Sequence, residues 1–134
     1  MNKYSMSKEG FLYRITALCD FGYVKKGTVG GLIETEHNLS HKGVSWVSGE
    51  AQVSGKAQVS GEAQVFGEAI ATKPVICISN LPWHITISDN YVAVGCQNHP
   101  KEQWFKFTRR EISAMATGAI QFYPTLKQLL KILA

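Results

Sequence analysis

From Gly43 to Thr72 the chain repeats a six-residue pattern of apolar and polar positions: GVSWVS, GEAQVS, GKAQVS, GEAQVF and GEAIAT. Val47, Val53, Val59 and Val65 recur at one position of this frame and Ala51, Ala57, Ala63 and Ala69 at another. Glu50, Lys56, Glu62 and Glu68 share a third. Six residues are too few for a helical repeat, and the alternation Ala, Gln, Val puts the first and third side chains on one face of a very short strand. Gly opens each unit, where a chain turning a tight corner needs a residue with little steric restriction. The pattern predicts a coiling solenoid that buries a column of Val and Ala and exposes Gln, Ser and Glu. A flexible linker would have no reason to keep Val and Ala in phase.

The flanks carry other patterns. FLYRITAL, from Phe11, reads as a strand, and FGYVKKGTVGGLIE supplies Gly-rich turns with Val24, Val29, Leu32 and Ile33 as apolar anchors. The hexad frame extends past Thr72 with Val75 and Cys77 as inward residues. Further on, Thr108 and Glu111 have capping-box spacing, followed by Ile112, Met115, Ile120, Tyr123, Leu126, Leu130 and Leu133 at helical intervals. Gly118 and Pro124 predict a break or kink there, giving two short helices or one.

The hexad run resembles the left-handed parallel β-helix of hexapeptide-repeat proteins, in which three units make a triangular coil of about eighteen residues. The fold expected on that resemblance is mainly β, a short left-handed parallel β-helix of about three coils. Its ends would be covered by an N-terminal strand cap and a C-terminal α-helical segment. One domain is expected over 1–134, divided into an N-terminal cap (1–36), the β-helix (37–96) and a helical cap (97–134).

Composition narrows the function classes. A formal charge of +4 favours an anionic ligand or partner, although Lys25 with Lys26 and Arg109 with Arg110 also read as solvated surface charge. No basic recognition helix or dense Lys/Arg stripe suits extended duplex DNA. No apolar stretch approaches the roughly twenty residues needed to span a bilayer. Cys19, Cys77 and Cys96 cannot all pair within one chain, and the polar MNKYSMSKEG start lacks the apolar core of a signal peptide. The expected home is a reducing cytoplasm.

Candidate chemistry concentrates in LPWHITISDNYVAVGCQNHPKEQWF. Trp83, Tyr91 or Trp104 could stack on a flat ligand while Lys101, Lys106 or Arg109 meets a phosphate, with His84, Cys96 and His99 nearby in sequence. The competing reading has Trp83 and Trp104 sealing the end of the β stack. His84 and Thr86 form an H-x-T pair of the kind that makes half of a phosphoesterase site, the imidazole relaying a proton and the hydroxyl holding a phosphate oxygen. A second such pair is absent from the sequence, and a plain alternating strand would also put these two residues on one face. If the chain is an enzyme, His84, Thr86 and His99 are the expected catalytic groups. Cys96 and His99 have a spacing a metal could use, but a closed zinc site wants four ligands, so no metal and no cofactor are expected. Cys96 after a Gly in an apolar strand also reads as a small buried hydrophobe.

A longer stretch, YRITALCDFGYVKKGTVGGLIETEHNLSHKGVSWVSGEAQVSG, resembles small phage and prophage hexapeptide-repeat proteins with a GGWIE-type and NLSH-type lead-in. Gly95, Cys96, His99, Trp104, Phe107 and Ile112 fall on the pattern of their C-terminal GCQxH…W segment. Leu32 departs from the usual Trp of the lead-in, and Thr28 from a common acidic residue. The resemblance implies a phage accessory protein, with counter-defence as a role such proteins take. The leading expectation is a non-catalytic binding protein that sequesters a nucleotide-like signal or blocks a host protein, acting as a homo-oligomer, dimer or trimer. A small phosphodiester-cleaving enzyme is the alternative. An acyltransferase-like or an assembly protein is the further alternative, although no long loop interrupts GEAQVSGKAQVSGEA and His37 and His41 precede the regular run.

Overall fold

The computed structural model describes residues 2–134, and these divide into two compact units, one running to Asn98 and the other from His99 to Ala134. The chain order in the first is β1 (Tyr4–Glu9), β2 (Leu12–Ala17), β3 (Val29–Ile33), β4 (Trp46–Val47), β5 (Gln52–Val53), β6 (Gln64–Val65), β7 (Ile70–Ala71), β8 (Ile76–Ile78), β9 (Ile85–Ile87) and β10 (Tyr91–Val94). The division falls within β11 (Gln97–Pro100), and three helices follow: α1 (Lys101–Lys106), α2 (Arg109–Met115) and α3 (Ala119–Leu133).

The expected fold, a left-handed parallel β-helix of about three coils between a strand cap and a helical cap, is corrected by the pairing. The strands form three sheets: a mixed five-stranded sheet in the order β1-β2-β3-β5-β7, a two-stranded pair β4-β6, and a four-stranded sheet β11-β10-β9-β8. The hairpin β1-β2 does not lie across an end. It joins β3 antiparallel and so shares a sheet with the parallel pairs β3-β5 and β5-β7. Past Thr72 the parallel pairing ends, because β8, β9 and β10 run antiparallel to one another. The physical reason is visible in the residues: no Gly occurs between Gly67 and Gly95, and Pro74 and Pro82 interrupt the stretch, so the tight corner that each hexad needs is not available. The inward roles expected of Val75 and Cys77 survive only as partial burial against the core.

Within the hexad region the side chains sort as their alternation predicts. The four valines at positions 47, 53, 59 and 65 and the four alanines at 51, 57, 63 and 69 are buried, whereas Glu50, Lys56, Glu62 and Glu68 are exposed. Each buried Val contributes about 1.5 kcal/mol or more of apolar transfer free energy. Parallel partners lie eighteen residues apart, Trp46 with Gln64 and Gln52 with Ile70, and bonds such as Ser48 N–H to Val65 C=O (2.9 Å) tie them. Gly55, at φ 59°, makes one corner, where an added Cβ would sit 2.9 Å from the Thr72 carbonyl oxygen. Gly30, in β3, lets two backbones approach so closely that a Cβ would lie 2.6 Å from the Val47 carbonyl.

Polar side chains close both ends of the parallel ladder. At the first end Asn38, wholly buried, accepts from the Glu34 and Thr35 N–H groups (3.1 and 2.8 Å) and donates to the Gly55 and Ala57 carbonyls (3.3 and 2.9 Å). At the other, Asn90 accepts from Ile70 N–H (2.8 Å), Asp89 from Thr72 N–H and Oγ1–H, and Thr86 from Gln64 N–H (3.3 Å). Asn98 donates to the Phe66 carbonyl (2.8 Å). Backbone groups that would otherwise be stranded at a sheet edge are satisfied in this way.

In the second unit the break expected at Gly118 is present, with that residue at φ 88° starting α3, but Pro124 lies inside α3 without ending it. From Thr108 onward two helices, α2 and α3, stand where two short helices or one are expected, and α1 is an additional helix ahead of them, separated because Phe107 adopts an extended backbone before the Thr108 cap. Thr108 and Glu111 form the capping box: Glu111 N–H donates to Thr108 Oγ1 (3.1 Å) and Thr108 N–H to Glu111 Oε1 (2.9 Å). Trp104, Ile112, Tyr123, Leu126 and Leu130 are the buried apolar residues of this unit. Among the described residues no helix is long and apolar enough to cross a membrane. Cys19, Cys77 and Cys96 are free thiols.

Candidate functional site

Charge separates the two units. From His99 onward the chain holds Lys101, Lys106, Arg109, Arg110, Lys127 and Lys131 against Glu102 and Glu111, so the entire excess of +4 lies there. The residues up to Asn98 hold eight basic and eight acidic side chains and are neutral overall. A field built from one quarter of the chain favours anions at that quarter.

Two depressions open within the helical unit. One, of about 390 Å³, is lined from α1 by Lys101, Glu102, Phe105 and Lys106, from α3 by Leu130 and Lys131, and by Ala134 just after α3. Helical spacing explains the lining: Lys101 and Phe105 are one turn apart, as are Glu102 and Lys106, so each pair shares a face. Phe105 keeps 39 % of its surface exposed, although it is a large apolar ring. Leu130 is buried, and the lining is chiefly apolar while including three lysines and one glutamate. The second depression, about 480 Å³, is lined by Arg109, Arg110, Ser113, Ala114 and Ile120.

The residues singled out from the sequence scatter. In the first unit Trp83 packs over Gly95, where a Cβ would lie 3.0 Å from the indole, and Gly95 N–H donates to the His84 carbonyl (2.9 Å), so Trp83 and His84 flank the turn that carries the exposed Cys96. His84 is half exposed, and its Nε2 lies 3.3 Å from a Glu62 carboxylate oxygen. Thr86 is buried, its hydroxyl committed to Gln64 N–H. In the second unit His99 sits edge-on to Trp104 and Phe107, with ring centroids 5.3 and 4.9 Å away, and burial lowers its pKa. Trp104 is buried and its carbonyl accepts from the Tyr123 hydroxyl, whose pKa burial raises. Its ring therefore does not offer a stacking face. Lys101 and Arg109 line different depressions. Among the described residues no three His, Cys, Asp or Glu side chains gather as metal ligands.

Phe105, Leu130 and Lys131 were not legible as site residues, because Leu130 and Lys131 lie on α3, which follows α1 only after α2 has intervened. A second cluster also escaped the sequence. Lys3 is buried, with Nζ donating to the Ser45 carbonyl (2.8 Å) and standing 4.8 Å over the Phe21 ring; burial pulls its pKa down to about 8. Tyr4 stacks on His41 at 4.0 Å and its pKa is pushed up to about 12, by burial first and then by Glu36. His41 Nδ1 accepts from Lys3 N–H (3.0 Å) and its Nε2 lies 3.3 Å from Glu36, which assigns the tautomer with hydrogen on Nε2. These bonds fasten the start of β1. No protein-family model matches the chain, and no curated protein aligns with it significantly.

Proposed function

We propose that the protein binds, without cleaving it, an anionic nucleotide-like molecule in the depression between α1 and α3. The observation that carries this reading is that Lys101, Lys106 and Lys131 line one depression together with the exposed ring of Phe105 and with Leu130. Ammonium groups meet phosphate as mobile point charges, the exposed ring offers a face to a base, and Glu102 can accept from an exocyclic amine. A volume of about 390 Å³ is in the range of small-molecule sites.

Binding is favoured over phosphodiester cleavage by what the H-x-T pair does. Thr86 is buried and its hydroxyl oxygen accepts from Gln64 N–H, so it does not stand open beside His84 to hold a phosphate oxygen. On the lead-in resemblance, the role would be that of a phage accessory protein in a host cytoplasm that sequesters a nucleotide signal, with the β unit as a neutral scaffold.

The test is native mass spectrometry of the purified protein with a panel of linear and cyclic nucleotides, followed by recovery of the ligand from denatured protein. Intact ligand, bound more weakly as salt rises, is expected. Recovery of a hydrolysed product would replace sequestration with catalysis, and failure of every nucleotide to bind would turn attention to a host protein.

A further inference from the structure

The edges of the five-stranded sheet are treated unequally. β7 is covered: Ile70 donates to Asn90 and its carbonyl accepts from Asp89 N–H (2.8 Å each), and Thr72 N–H donates to the Asp89 carboxylate. β1, six residues long, is the outermost strand at the opposite edge. Its free side can be assigned from the bonds around β2. Ala17 directs its N–H and C=O to Thr28 and Gly27, away from β1, whereas Leu18 N–H donates to the Lys3 carbonyl (2.8 Å). With Tyr4 paired to Ala17, alternation turns the backbone groups of Ser5, Ser7 and Glu9 towards β2 and those of Tyr4, Met6 and Lys8 outward. No described residue bonds to those outward N–H and C=O groups.

We propose that β1 is a self-association edge, pairing antiparallel with β1 of a second copy about a two-fold axis at Met6. In that register Met6 faces Met6 of the second copy and Tyr4 faces its Lys8. Each copy then satisfies three N–H and three C=O groups, so the patch complements itself as a two-fold interface requires. The charges select this arrangement. Antiparallel pairing sets no like charges opposite, whereas parallel pairing in register would set Lys8 against Lys8 and Glu9 against Glu9. The two five-stranded sheets become one continuous sheet, independently of any ligand in the helical unit.

Sedimentation across a dilution series of the full chain is expected to give twice the 14.8 kDa chain mass at high concentration, falling towards one on dilution. Hydrogen exchange on the same samples is expected to show Tyr4, Met6 and Lys8 amides protected in the dimer and fast in the monomer. Met6→Pro removes the central donor, and Met6→Lys sets two ammonium groups across the axis. Each is expected to raise the dissociation constant at least tenfold with the circular dichroism spectrum unchanged. A parent protein monomeric throughout, or a dimer in which these three amides exchange freely, overturns the proposal. A folded variant pair that dimerises like the parent does so too, and should either variant fail to fold, the parent's exchange pattern decides.

Discussion

The two units of this chain solve opposite problems. Up to Asn98, short parallel strands are joined to antiparallel ones, charges cancel, and Asn38, Thr86, Asp89, Asn90 and Asn98 bond the backbone groups at the ends of the parallel ladder. From His99 onward, three helices of unequal length leave apolar surface open at Phe105 and collect all the excess positive charge. Thr86, a side chain with the chemistry of a site, is spent on closure in the first unit, while ordinary lysines of the second line a depression. Residue chemistry alone does not mark a site; an opening and an unbalanced field do.

The comparison breaks hardest at Asn38. Removing its four backbone bonds with Asn38→Ala leaves buried donors and acceptors unsatisfied, and a loss of about 3 kcal/mol is expected. Urea unfolding with unchanged slope is the check, and a midpoint like the parent's would show that the ladder end closes without it. Next in size is a pH effect at Lys3. Its folded pKa, about 8, lies below the ordinary value of about 10.4, so between these the unfolded chain binds a proton that the folded one does not. Stability should therefore rise with pH across that window. Tyr4 acts in the opposite sense, its folded pKa of about 12 exceeding the ordinary value of about 10, so stability should decline above pH 10. Unfolding measured from pH 7 to 11 should pass through a maximum near pH 10, and Lys3→Met should abolish the rise but keep the decline.

At the far end of the ladder, Asp89→Ala frees Thr72 N–H and exposes the β7 edge, with an expected loss of about 1.5 kcal/mol and faster aggregation on storage. Unchanged light scattering would mean that Asn90 alone protects that edge. The smallest effect sharpens the comparison from the other side. Lys131→Ala should leave unfolding unaltered while weakening nucleotide binding about fivefold, roughly 1 kcal/mol, as suits an exposed ammonium.

What was legible in advance follows the range of the interactions. The Val and Ala columns, the Thr108–Glu111 capping box and the break at Gly118 are set by residues within a few positions of one another. The turn from parallel to antiparallel pairing after Thr72 was hidden because Val75 and Cys77 fit the hexad phase, although no Gly was present to make the corner. Of the residues the sequence singles out, Lys101 lines the α1–α3 depression, whereas the Trp104 ring is buried, as its packing alternative has it. Phe105 and Lys131 could be found only once α1 and α3 were brought together.

The most direct measurement is a backbone-amide NMR titration with a nucleoside diphosphate at low salt. Shifts concentrated at Lys101 to Lys106 and Leu130 to Lys131, reversed by added salt and lost in Lys131→Ala, are the result expected of a basic binding unit on a neutral scaffold. Shifts confined to Trp83 to Cys96, or none at saturating ligand, would contradict it.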